Sequence, residues 1–222
     1  HLEDFPSDSI YRDVLEQRSL ITGTMRGDFY LTGLAGEAFL ETTLGGFAME
    51  IHHGVLRRFS TLSKVFSLLN VSQILTFNVP DMAKEGMPFQ KITGTMKLEA
   101  GLLQGEDLWI HSEAMDMSLV GNYNINNHRI DALLGIKPLK TVDKIITNLP
   151  IAGWLLAGEE RSLVTAHFQI SGEAKDPKVT AVPITSVSRK VFDIFKRVLQ
   201  LPGKVILDPG EVLVPPAAQP KR

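Results

Sequence analysis

Six histidines are the residues in this chain best suited to metal binding or proton transfer, and their spacing decides whether they form a site. His52 and His53 are adjacent, so on a strand they point to opposite faces and cannot hold one metal ion together. The others have no partner at a ligand spacing. They are His1, His111, His128 and His167. The spacing therefore favours surface or strand-face histidines and predicts no metal site.

Other signs of catalysis are equally weak. Glu159-Glu160-Arg161 reads as a charged, solvated turn, because a paired-carboxylate acid–base site would need a second element that is missing. The chain has no nucleophile elbow, no phosphate-binding loop and no dinucleotide fingerprint. Trp109 and Trp154 fit either a packed core or a lipid interface. We expect a protein that is not an enzyme and that needs neither a metal nor a nucleotide.

An alternating apolar pattern between Phe89 and Leu139 is the strongest signal in the chain. Alternate side chains of a strand point to opposite faces, so this stretch predicts a meander of four antiparallel strands with one apolar face. Turns are expected at Ala100-Gly101, at 104–107 and at Asn126-Asn127. The apolar face fits a closed core or an open lipid-holding groove. Its candidate lipid-binding residues are Met96, Leu98, Met115, Met117, Leu119, Ile130, Leu134 and Ile136.

The remaining elements are read from hydrophobic periodicity and punctuation by Gly and Pro. Helical spacing predicts helices near 60–75, 141–157 and 188–201, and a short helix at Asp8–Gln17. A helix or loop is expected around Glu37–Thr43 and a turn at Gly45-Gly46. Further strands are predicted at Ser19–Arg26, Asp28–Thr32, Phe47–His52, Ser162–Ile170 and Val179–Pro183. Residues 19–55 and 89–125 then repeat one strand–turn–strand unit.

The helix Ser188–Leu201 has a wide apolar stripe bordered by basic residues. Two interpretations remain open: the stripe packs on the sheet, or the helix lies on a membrane with its basic side chains near the headgroups. The candidate membrane-contact residues are Arg189, Lys190, Phe192, Phe195, Lys196 and Arg197.

Length and composition set the limits of the molecule. The chain has 222 residues, 44% of them hydrophobic, a net charge of −2 and no cysteine. The length and hydrophobic content are sufficient for a buried core. The lack of cysteine excludes disulfides, and the net charge gives no argument for binding to nucleic acid. The expected organisation is a short helix or linker at 1–18, a β-rich domain at 19–187, an amphipathic helix with its extension at 188–207, and a disordered Pro-rich tail at 208–222.

Several short patterns follow one another along the predicted strands, at Phe89, Gly94, Gly101, Leu108, Gly121, Asp131 and Pro138, and then at Asp176-Pro177-Lys178-Val179. Their order and spacing resemble the AsmA-like bacterial envelope proteins, most closely the C-terminal region of the YhdP type. The resemblance extends from about Ser19 to Pro202. It implies a curved, mainly antiparallel sheet that forms an apolar groove, with two or three helices packed at its face or end, a β-rich α+β fold.

The same resemblance implies a function and a location. It points to the C-terminal module of a bridge-like lipid transfer protein that spans the periplasm of a Gram-negative bacterium, as part of a longer protein anchored in the inner membrane. Phospholipid, a membrane surface and envelope proteins are the implied partners, and neither nucleic acid nor a cofactor is expected. The alternative is a non-catalytic scaffold for envelope assembly whose apolar face is closed.

Overall fold

The computed structural model describes residues 2–6, 21–36, 39–57, 60–68, 86–138 and 166–200. The predictions for Asp8–Gln17, for the helix at 141–157 and for the tail at 208–222 lie outside the described residues. So do the second half of the helix predicted at 60–75 and the start of the strand predicted at Ser162.

Within the residues that the structure describes, nine antiparallel strands form one sheet, and each strand pairs with its neighbours in sequence. The sheet is open, with β1 and β9 at its edges, so the predicted β-rich fold with a curved antiparallel sheet is confirmed. The strands are β1 Leu2–Pro6, β2 Thr24–Thr32, β3 Leu44–Leu56, β4 Met87–Glu99, β5 Leu102–His111, β6 Met115–Asn124, β7 Arg129–Pro138, β8 Ala166–Glu173 and β9 Lys178–Ala181.

Strand register gives the sheet two faces of different composition. Ile51 pairs with Ile92, Ile92 with Ile110, and this row continues across β6 and β7 through Met117 and Ile136. Because paired residues point to the same side, the row fixes one side of the sheet, which we call the apolar face. The other side is called the opposite face.

In the described ranges, three α-helices accompany the sheet: α1 Phe39–Thr42, α2 Ser60–Leu68 and α3 Arg189–Gln200. Val65 of α2 is fully buried in the core of the apolar face. The Lys64 Nζ contacts a carboxylate oxygen of Asp176 and donates to the Pro177 carbonyl at 2.8 Å, which ties α2 to the β8–β9 turn. The helix α3 packs on the opposite face, where Phe195 and Leu199 form a separate small core with Trp109. The predicted helix at 188–201 is thereby confirmed over Arg189–Gln200.

Two expected breaks in the strands are wrong. The predicted turn at Gly45-Gly46 lies inside β3, and Gly27 lies inside a continuous β2. A Cβ on Gly45 would sit 2.4 Å from Leu31 Cδ2, and one on Gly46 would sit 2.9 Å from the ring of Tyr30. The glycines therefore make room for side chains of β2 and do not turn the chain.

The predicted turn at 104–107 is also wrong, because these residues form a β-bulge inside β5. The register of β5 shifts against β4 and against β6 around Glu106 and Asp107. The Asp107 carboxylate is buried and accepts hydrogen bonds from the Thr95 N–H at 2.7 Å and the Thr95 hydroxyl at 2.8 Å. A bulge thus uses the polar residues that the sequence pattern suggested for a turn.

The tight turns on either side are confirmed. Ala100 and Gly101 both have positive φ, at 48° and 78°, between β4 and β5. The β6–β7 turn contains Asn126 and Asn127, whose backbone N–H groups donate to the Asn124 side chain at 2.9 and 3.1 Å. The sequence pattern predicts a helix or linker at 1–18, but residues Leu2–Pro6 form the edge strand β1.

Candidate functional site

All eight candidate lipid-binding residues lie on the apolar face. Register pairs Met117 with Ile136 and Leu119 with Leu134 directly. Met96 and Leu98 face the same way, because they pair with Gly105 and Leu103, which continue across the sheet to Gly121 and Tyr123. Alternation in the sequence therefore predicted a real surface, although it did not show how that surface is covered.

Burial divides these eight residues into two groups. Met115, Met117, Leu134 and Ile136 are at most 8% exposed and belong to one packed core with Val65 of α2. They lie toward the end of the sheet from which the β3–β4 and β7–β8 connections leave. This end of the apolar face is an ordinary protein interior, where side chains contact one another and not water.

The other four predicted residues lie in the partly exposed half of the face. Leu119 and Ile130 pack at the margin of the core, and Met96 and Leu98 are half-buried outside it. These residues lie toward the end of the sheet where the β4–β5 and β6–β7 turns are found. We call this half of the face, together with Phe29, Leu31 and Phe47, the open end.

The sequence pattern did not identify three large apolar residues of the open end, which are Phe29, Leu31 and Phe47. Phe29 pairs with Phe47, and Phe47 pairs with Met96, so the side chains of Phe29 and Phe47 point to the apolar face like that of Met96. Phe29 and Leu31 are 55% and 52% exposed, which is high for large apolar side chains. Phe29 and Leu31 continue the every-second-residue pattern of Met25 and Gly27 in the sequence. Interpreting Gly27 as the end of a strand concealed this pattern.

The apolar face carries almost no polar chemistry. From the row through Ile51 and Ile92 to the row through Leu31 and Leu98, each described residue on this face is apolar or glycine, Tyr123 excepted. The distance between these rows is about 20 Å along the strands, against about 15 Å for the hydrocarbon of one bilayer leaflet. Such a surface suits an extended hydrocarbon.

The opposite face is charged beside β3 and β4. Glu50 is hydrogen-bonded to His52 and forms an ion pair with Lys91 at 2.9 Å. Burial alone raises the pKa of the Glu50 carboxyl, but hydrogen bonds from Lys91 and His52 outweigh burial and hold that pKa below its ordinary value. Asp116 is buried and pairs with His111 Nδ1 at 2.6 Å. These pairs keep charge on the side of the sheet away from the apolar face.

The candidate membrane-contact residues of α3 have different surroundings. Arg189, Lys190 and Lys196 are exposed, and Phe192 is 38% exposed. Phe195 is only 2% exposed and packs on the sheet, where its ring lies 5.4 Å from that of His167. The side chain of Arg197 lies outside the described residues. In this arrangement α3 is docked on the sheet, and its contact with a membrane stays a prediction.

Residues considered for other chemistry do not come together in the described part of the chain. No group of three or more His, Asp or Glu side chains there could hold a metal ion. Trp109 lies in the small core under α3, while Trp154 and Glu159-Glu160-Arg161 lie outside the described residues. Within the described ranges, none of the helices combines the length and the hydrophobicity needed to cross a bilayer.

Comparison with known proteins identifies the family. No curated protein and no solved structure matches the chain. The profile of the YhdP protein family matches residues 15–179, which include β2 to β8, both halves of the apolar face and its open end. The match covers most of the chain, and it agrees with the resemblance carried by the glycine and proline pattern of the strands. The chain belongs to the YhdP family.

Proposed function

We propose that this protein binds the acyl chains of phospholipids on its apolar face and conducts them as one module of a lipid-transfer protein of the bacterial envelope. The protein performs no catalysis in this proposal and needs no cofactor. Hydrocarbon enters at the open end, near Phe29, Leu31, Phe47 and Met96. The polar headgroup stays in water beyond the turns.

The observation that carries the proposal is the composition of the apolar face. A sheet that only needed a core would be expected to place polar residues wherever that face meets solvent. Here the exposed part keeps large apolar side chains, including Phe29 at 55% and Leu31 at 52% exposure. Monomeric soluble proteins rarely leave such residues together in water, and clusters of them mark binding sites for apolar partners.

Family membership supports the setting of this function. The YhdP family indicates a protein of the bacterial envelope with a role in lipid transport. We place it in the periplasm, as the C-terminal module of a longer protein anchored in the inner membrane and reaching toward the outer membrane. A membrane surface, contacted through the exposed basic residues of α3, and envelope proteins are the further partners that we propose.

A second function, a non-catalytic scaffold for envelope assembly, is favoured by one observation. Met117 and Ile136 are buried in a core that α2 closes through Val65. If this closed half were the whole purpose of the face, the open end would bind nothing. The two functions therefore differ in what they expect of the exposed residues.

Leu31 and Leu44 provide a matched pair for the test. They are 52% and 43% exposed and lie in adjacent rows, but Leu31 points to the apolar face and Leu44 to the opposite face. A Leu31→Glu variant introduces a charge into the proposed path of the acyl chain, and a Leu44→Glu variant introduces the same charge outside it. Both sites are exposed, so we expect unchanged melting temperatures.

The measurement is native mass spectrometry of each protein purified from bacterial cells without detergent. We expect co-purified phospholipid on the wild type and on Leu44→Glu, and a loss of most of it on Leu31→Glu. Equal amounts on the two variants would contradict lipid binding at the open end. A wild type that carries no lipid and takes up none from vesicles would favour the scaffold.

A further inference from the structure

The helix α3 is held on the opposite face by a core of its own. Ile194, Phe195 and Leu199 are buried against Trp109, and this cluster is separate from the main core of the apolar face. Two polar contacts add to it: an exposed Lys190–Glu106 ion pair at 2.6 Å, and a hydrogen bond at 3.0 Å from Lys137 Nζ to the Leu199 carbonyl. The exposed ion pair contributes little to this docking. Because the cluster under α3 is separate from the main core, α3 can leave the sheet without opening the main core.

The surface under α3 is poorly matched to an apolar helix. Register places Trp109, Ser118, Gly135 and His167 in one row across β5 to β8. Trp109 Nε1, Ser118 Oγ and His167 Nδ1 are buried with no hydrogen-bond partner in the described structure. Buried polar groups without partners oppose the packing that buries them, and they regain hydrogen bonds to water once exposed. Docking of α3 is therefore weaker than its apolar contacts alone would make it.

His167 lies directly beneath the helix. Its ring is 5.4 Å from the ring of Phe195, and Phe195 also fills the space over Gly135, where an added Cβ would lie 3.4 Å from the nearest atom of that ring. His167 is only 4% exposed. A proton on this imidazole would place a charge under Phe195, so α3 docks on the neutral form.

In the described part of the chain, no carboxylate pairs with His167. The charged residues on the same face of the neighbouring strands are Arg129, Asp131, Lys137, Glu173 and Lys178, and those exposed on α3 are Arg189, Lys190, Asp193 and Lys196. The side chain of Asp131 accepts a hydrogen bond from Gln169, and Lys137 contacts the end of α3. Burial lowers the pKa of His167 to about 4.

We propose that α3 is a strap that docks on the sheet at neutral pH and is released in acid, with His167 as the group that takes up the proton. Release exposes Phe195 and Leu199 of α3 together with Phe192, which is already exposed. The released helix has basic residues beside these apolar side chains, and it is free to contact another apolar surface. The strap does not depend on lipid binding by the apolar face, because the two lie on different sides of the sheet.

The direction and size of the effect follow from linkage. The released state has an ordinary histidine and the docked state excludes the proton, so docking is strongest above pH 6.5 and weakens as the pH falls toward about 4. With a pKa of about 6.5 released and about 4 docked, release becomes about thirtyfold more favourable between pH 7.5 and pH 5.

Amide hydrogen exchange tests the strap on the full chain. Exchange rates of α3 amides are measured from about pH 7.5 to 5 and corrected for the known effect of pH on the chemical step. We expect protection of α3 to fall about thirtyfold while the strands β6 and β7 keep theirs. A His167→Phe variant keeps an aromatic ring against Phe195 without a titrating group, so its α3 should stay protected throughout. His128→Asn, in an exposed turn at φ 54°, is the control and should behave as the wild type.

Three results would overturn the proposal. The first is α3 protection that does not change with pH, and the second is an equal loss in wild type and His167→Phe. The third is a loss shared by β6 and β7, which would mean global unfolding. If His167→Phe fails to fold, an NMR titration of the wild-type histidines decides: His167 must take up its proton as α3 loses protection, and a His167 that stays neutral through that loss refutes the strap.

Discussion

Asp107 shows how one buried polar side chain shapes the sheet. Its carboxylate accepts two hydrogen bonds from Thr95 of β4, and the bulge of β5 brings it into position for both. A bulge increases the local twist of a strand, and this one lies where Met96 and Gly105 form part of the open end. Asp107 therefore supports the apolar face from the other side of the sheet.

We expect an Asp107→Ala variant to lose about 1–3 kcal/mol of unfolding free energy, because two donors of Thr95 would be left without their buried acceptor. Urea unfolding measures the change. The control is Glu106→Ala in the same bulge, where only an exposed ion pair with Lys190 is lost and the change should stay below about 1 kcal/mol. Equal effects of the two substitutions would show that the Asp107 hydrogen bonds do not hold the bulge.

At the scale of elements, the sequence predicted strands well where alternation ran without interruption. The strands β4, β6 and β7 and the helix α3 lie where their periods placed them. Glycine was the main source of error, because its effect depends on the neighbouring strand. Gly45 and Gly46 resemble a turn in isolation, yet they accommodate Leu31 and Tyr30. That contact joins residues from two strands, and no local window of sequence contains its geometry.

Among the described side chains of the short helix α2, Val65 is the one that enters the main core. Val65 is fully buried in the main core, whereas Leu68 at the end of the same helix is 41% exposed. We expect Val65→Ala to lower the unfolding free energy by about 1–3 kcal/mol, through lost contacts and a small cavity. Leu68→Ala should change it by less than about 0.5 kcal/mol. Chemical denaturation of both variants compares them, and a small effect at Val65 would mean that α2 does not close the buried half of the face.

At the scale of the whole molecule, the two sides of the sheet differ in composition and in what covers them. The apolar face holds the main core at one end and the exposed Phe29 and Leu31 at the other, while α3 and the polar pairs of Glu50 and Asp116 lie on the opposite face. Alternation predicted that the eight candidate residues share a face. It could not predict that half of them are buried, because burial depends on α2 and on the packing of distant strands.

Photocrosslinking with a phospholipid that carries a diazirine near the end of its acyl chain tests lipid binding most directly. After irradiation of the purified protein, peptide mass spectrometry locates the adducts. We predict adducts on the apolar face at the open end, at Phe29, Leu31, Phe47, Met96 and Leu98. Leu44 serves as the internal control, since it is 43% exposed but lies away from that face. Adducts on Leu44 at the same frequency as on Leu31, or none at the open end, would contradict a lipid-binding apolar face.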